Sequence, residues 1–175
     1  MADLVRAKSR GMSRSAANHD RGPRTEYLAF RLGDDVYAGP VAFIREILKP
    51  PPLTPVPRAP YAVMGIVSVR GQLVTVIDLR RRLRLPESAA SRRSRVLLVN
   101  PHGVEMLGLY VDEVLQVYRL ADDEIEHAAA ALGGEVAPYI AGIARPLMQA
   151  APSAAPSLTD PSLVILLELR SLLAT

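Results

Sequence analysis

The segment Gly65 to Arg80 constrains the fold of this chain more than any other. Two runs of β-branched residues, Ile66 to Val69 and Val74 to Ile77, meet at Gly71-Gln72 with Arg70 alongside. Valine, isoleucine and threonine favour a pleated, half-buried backbone, and glycine supplies the positive φ that a two-residue primed turn demands. The segment therefore predicts a tight hairpin that carries one arginine beside its turn. Either that arginine is a solvated charge or it is presented for a purpose, and the rest of the chain has to decide between the two.

Strands dominate elsewhere as well. Tyr27 to Leu32 and Val36 to Ala38 flank Gly33-Asp34-Asp35, which predicts a first hairpin, with order beginning near Glu26. Pro40 suits a first helical turn, and Val41, Ile44, Ile47 and Leu48 recur at helical spacing before Pro50-Pro51-Pro52, so a short amphipathic helix is expected there. Prolines 55, 57 and 60 keep the following stretch extended. After the hairpin come a basic connector through Ser94 and short strands at 95–99, 104–111, 114–120, 139–144 and 163–169. A helical turn over 169–173 closes the chain. Nine or ten short strands with few helices predict an all-β protein of barrels or sandwiches. Residues 1–25 read as a disordered basic leader, and 149–161, rich in alanine and proline, as a low-complexity insertion.

Charge matters because a pI near 9.5 invites a nucleic-acid reading. The excess is local: residues 1–26 hold six basic and three acidic groups, and the remainder has fifteen of each. Within it, residues 45–95 carry eleven basic and three acidic groups, whereas 96–175 carry three and ten. The runs Arg80 to Arg84 and Arg92 to Arg95 lack the interleaved aromatics of single-strand binders. A bipolar domain suits a protein set between two partners better than one that coats a polyanion.

The absence of cysteine excludes disulfides and thiolate chemistry and fits a reducing cytoplasm. The longest apolar runs, such as Leu163 to Leu167, fall far short of the ~20 residues of a membrane helix, so membrane insertion is not expected. His19, His102 and His127 have no metal-ligand spacing, and the acidic groups Asp112-Glu113 and Asp122 to Glu126 read as solvated turns. No phosphate-cradling glycine pattern occurs, and Ser68, Thr75 and Ser171 lack the context of a nucleophile. Neither enzyme activity nor a cofactor or metal is expected.

Five pieces in one order then carry a resemblance: Tyr27 to Tyr37, Ile44-Arg45-Glu46-Ile47, Gly65 to Gly71, Val76-Ile77-Asp78-Leu79-Arg80 and Gly108 to Asp112. From about Glu26 to Leu173 the chain resembles the CheW family of chemotaxis coupling proteins. That resemblance implies a CheW-like domain over 26–175, built as two intertwined five-stranded SH3-like β-barrels, with 149–161 inserted into a hairpin. It also implies a stand-alone, cytoplasmic adapter at inner-membrane receptor arrays. Its partners would be the tips of methyl-accepting chemoreceptors and the regulatory domain of a CheA-type histidine kinase, not nucleic acid.

Carried over by position, the receptor groove involves Val41, Ile44 and Glu46 on the first helix, Arg70 beside its turn and Val96 on a later strand. An apolar ledge with two charges that set register is what a docked helix requires. A second reading makes Ile44 core and Arg70 an internal brace, and the two are compatible. The kinase-facing residues are not assigned. Departures border the groove: Ser68 stands where the family usually has asparagine, Gly39-Pro40 replaces an apolar-polar pair, and Pro50-Pro51-Pro52 is unusual. Two alternatives stay open, a CheW-like kinase-binding protein without receptor binding and a basic β-barrel that binds nucleic acid.

Overall fold

The computed structural model describes residues 23–128, 137–146 and 163–174. β1 (Arg24–Leu32) and β2 (Asp35–Pro40) form the first hairpin, turning through Gly33 at φ +68°. β1 starts at Arg24, ahead of the expected Glu26, because Arg24 and Thr25 already pair with Ala121 and Leu120. The rest of the expected leader and the 149–161 segment lie outside the described residues.

The helix expected after Pro40 is not formed. A single 3-10 turn, Val41–Phe43, gives way to strand β3 (Ile44–Leu48). β3 pairs antiparallel with β6 (Arg95–Val99), and its register shifts between Ile44 and Glu46. That bulge explains the misleading spacing. Ile44 lies opposite Val99 and Ile47 opposite Leu97, so two residues three apart share one face, as they would on a helix. Glu46 and Leu48, opposite Leu98 and Val96, share the other.

The remaining elements are β4 (Val63–Val69), β5 (Gln72–Asp78), α1 (Leu79–Arg82), β7 (Leu107–Val111), β8 (Glu113–Ala121), β9 (Ile125–His127), β10 (Ile140–Ala144), β11 (Val164–Leu167) and α2 (Leu169–Leu173). Asp78 starts α1 as its N-cap, its carboxylate accepting from the Arg80 and Arg81 amides at 2.8 and 3.4 Å. One sheet runs β8-β1-β2-β11-β10-β9 and takes strands from both ends of the chain; the other runs β3-β6-β7-β5-β4 and takes the middle.

Each sheet curls back on itself. The end strands β8 and β9 of the first are joined only by the 3-10 turn Asp122–Glu124. In the second, the proline-rich segment after β3 returns to β4, where Thr54 and Ile66 exchange both backbone hydrogen bonds at 2.9 Å. The result is a mostly β protein of two SH3-like barrels, with the short β9 as a sixth strand in the first.

Three apolar clusters hold these sheets. Ala29, Ala38, Val164 and Leu166 fill the first barrel, while Val74, Val76, Val96, Leu98 and Tyr110 fill the second. Between the barrels lie Phe30, Leu32, Leu79, Leu97, Val99, Leu109, Leu169 and Leu172, with others. Successive residues from Val96 to Val99 therefore point alternately into a barrel and into the junction, which is why this part of β6 is continuously apolar rather than alternating.

Tyr37 belongs to this junction, and burial, reinforced by the nearby Asp35 charge, pushes its phenol up to about 12. The fold favours the neutral form, whereas an unfolded tyrosine ionises near 10. Its stabilising contribution is therefore intact below about pH 10 and lost as the pH climbs towards about 12. Tyr37→Phe is expected to raise the midpoint of alkaline unfolding, followed by circular dichroism with phenolate absorbance in parallel. An unmoved midpoint would show that another group governs the alkaline limit.

Candidate partner-binding site

The β4–β5 hairpin closes at the Val69–Gln72 pair, which leaves Arg70 and Gly71 as the two turn residues, at φ +51° and +81°. Arg70 thus stands in the primed turn itself rather than beside it. Positive φ is comfortable for glycine and asparagine but costs a residue with a Cβ about 1–2 kcal/mol. The strained position is exposed at the tip of the hairpin.

From there the guanidinium reaches β3, donating from Nη2 to Glu46 Oε1 at 3.0 Å. The two side chains are 78% and 29% exposed, so the pair spans the rim of the second barrel in contact with water. Exposed ion pairs contribute about 0–1 kcal/mol, too little to offset the strain of the turn. Arg58 and Arg84 take the same left-handed backbone conformation, at φ +60° and +58°.

The other expected site residues divide. Ile44 and Val41 are half-buried and pack on the cluster between the barrels. Val41 also lines a cleft of about 540 Å³ with Ala42, Arg24, Thr25, Glu26 and Arg119. Val96 has no exposed surface; its side chain fills the second barrel among Val74, Val76 and Leu98. It is removed from the contact surface, because its partner across the ladder, Leu48, faces the same interior.

Two exposed apolar residues escaped the sequence reading. Leu73, opposite Ser68 next to the turn, is 74% exposed, and Ile47, next to Glu46, is 43% exposed. The signal for Leu73 was its alternation with Val74 and Val76, but a run in which both faces are apolar does not say which face is out.

The arginine run also has a use that its composition concealed. The Asp112 carboxylate accepts from Arg80 Nε at 2.9 Å through both oxygens and from Nη2 as well. That hydrogen bonding raises the Arg80 pKa further, against the opposing effect of burial. Arg81 stacks 5.0 Å over the Tyr61 ring and lies 3.3 Å from Glu87. Arg82 donates to the carbonyls of Leu172 and Ala174 at 2.8 and 3.2 Å, holding the end of α2. Arg170, from α2, stacks over Phe43 and donates to Pro101 O at 3.1 Å. Arg80, Arg82 and Arg170 bond across the junction, while Arg81 is held within the second barrel by Tyr61, Asp78 and Glu87. Among the described residues no group of three or more His, Asp or Glu could hold a metal ion, and no helix is long and apolar enough to cross a membrane.

The comparisons agree with this architecture. The CheW-like domain family matches residues 26–174. The chemotaxis protein CheW of Rhizobium meliloti is 31% identical over 112 residues, covering 64% of this chain and 72% of its own. Protein FrzA of Myxococcus xanthus is 35% identical over 115 residues, covering 66% and 70%. The crystal structure of the scaffolding protein TtCheW from Thermoanaerobacter tengcongensis superposes with a TM-score of 0.69 at 25% identity, over 87% of this chain and 94% of that one. With the domain match running from β1 to α2, the chain belongs to the CheW family of chemotaxis signal-transduction proteins, scaffolds that work by binding and are not enzymes.

Proposed function

We propose that this chain couples the cytoplasmic tips of methyl-accepting chemoreceptors to the regulatory domain of a CheA-type histidine kinase, in the cytoplasm beside receptor arrays at the inner membrane. The observation that carries this reading is the Glu46–Arg70 pair on the rim of the second barrel, held in a strained turn whose cost the pair itself does not offset. Leu73, next to the turn, offers exposed apolar surface, whereas Ile44 lies on the opposite face of β3 from Glu46 and packs on the junction core. A receptor helix laid there would place apolar side chains on this surface and fix its register on the two charges. A bound receptor would then act on the kinase only through its unequal affinity for the kinase's states, which shifts their populations without any chemistry in the adapter.

Reversing the charge at Glu46 sets two cations side by side where a complementary surface stood, so Glu46→Lys is expected to weaken binding of a receptor-tip fragment about tenfold or more. Titration by calorimetry checks this, with circular dichroism as the folding control and binding to the kinase regulatory domain as the reference. Unchanged receptor affinity in both Glu46→Lys and Arg70→Ala would remove this surface. Kinase binding without any receptor binding in the native protein would favour a kinase-only role. Salt-sensitive binding to DNA that survives removal of the leader would favour the nucleic-acid reading.

A further inference from the structure

At Asp112 the chain passes from β7 of the five-stranded sheet directly into β8 of the six-stranded one. Its backbone N–H donates to Arg31 O at 3.1 Å and its carboxylate accepts from the Gly33 N–H at 2.7 Å, both in the β1–β2 hairpin of the first barrel. The same carboxylate holds the Arg80 guanidinium, which stands on α1 at the end of β5 in the second barrel. Arg80 also donates from Nη1 to Pro86 O at 2.7 Å. The side chains are only 11% and 20% exposed. One carboxylate is thus shared by hydrogen-bond donors from both barrels at their crossing point.

The leucines and valines of the junction supply cohesion but are non-directional, and Arg82 and Arg170 add directional bonds only at the α2 end. A planar guanidinium gripped by a carboxylate is directional and tolerates little rotation. We propose that Arg80 and Asp112 set the angle between the two barrels, and that this angle transmits receptor engagement to the bound kinase. The second half of the proposal rests on the adapter reading above. Arg80 and Asp112 are positioning residues: on this account they touch neither partner, and they fix the relation between the surfaces that do.

The test uses two variants that retain most of the packing. Asp112→Asn keeps an acceptor for the Gly33 amide while removing the charge, and Arg80→Lys keeps the charge while removing the fork. Because the chain has no cysteine, Gln72→Cys on β5 and Gln116→Cys on β8, both exposed, admit one spin label on each barrel. Electron–electron distance measurements are expected to show a shifted or broadened distribution in both variants. Affinity for the receptor fragment and for the kinase domain, each measured alone, is expected to stay at the native value. Receptor-dependent control of kinase autophosphorylation should fall about tenfold, within the range typical of coupling between sites. An unchanged distance distribution in folded Arg80→Lys and Asp112→Asn overturns the orienting role, whatever their melting temperatures. A shifted distribution with intact receptor control overturns the link from angle to signal. The spectroscopic arm needs no partner, so a native protein that fails to couple receptor to kinase would refute the adapter reading while leaving the orienting role decided on its own data.

Discussion

Gly65→Ala is expected to lower the melting temperature by about 10 °C. Gly65 lies in β4 at φ +151°, and a Cβ placed there would stand 2.5 Å from the carbonyl oxygen of Thr54 and 3.0 Å from its carbonyl carbon. Backbone cannot step aside as a flexible side chain can. To make room, the proline-rich segment must leave β4, and the two Thr54–Ile66 hydrogen bonds that close the second barrel go with it. Strain of about 1–2 kcal/mol and two weakened hydrogen bonds at about 1 kcal/mol each give roughly 3 kcal/mol. For a domain of this size that corresponds to about 10 °C. Gly71→Ala is the control, since its φ is +81° but nothing lies within 4 Å of the added Cβ. It should cost about 1 kcal/mol, from strain alone. Equal losses in the two variants, measured by thermal unfolding, would show that the contact with Thr54 is not what makes Gly65 necessary.

Arg70→Gly is expected to move stability and binding in opposite directions. Glycine adopts the primed turn without a Cβ penalty, so the hairpin should gain about 1 kcal/mol, less the small contribution of the exposed ion pair with Glu46. The same change deletes the guanidinium at the rim of the barrel. If it anchors a receptor helix as proposed, the loss should reach about 2 kcal/mol, roughly thirtyfold in affinity. Thermal unfolding and calorimetric titration of a receptor fragment read the two effects separately. A destabilised variant with native affinity would mean that Arg70 is a brace after all.

What could be read along the chain and what could not differ in kind. The β4–β5 hairpin was legible because β-branched runs and a glycine act locally: the residues that dictate the strands are those that form them. The same holds for the β1–β2 hairpin and for α2, whose leucines recur at helical spacing. β3 was not legible. Its 3-residue apolar spacing fits a helix equally well, and only the pairing with β6, bulged between Ile44 and Glu46, makes it a strand. The site divides along the same line. Arg70 and Glu46 were identifiable as charges beside apolar elements, but their contact depends on two strands distant in sequence meeting at one rim. Val96, carried over by position, fills the barrel interior, and alternation could not have shown this because both faces of β6 are buried from Val96 to Val99. The partners of the arginine run were not legible, because charge carries no information about its partner. Asp112, Leu172 and Ala174 are 32 to 92 residues away from the arginines they hold. By itself, then, the sequence determined the all-β class, the local turns and the absence of thiol chemistry. Tertiary structure decided which apolar face is core and which charge meets which, because burial and ion pairing depend on distances in space that neighbouring residues do not set.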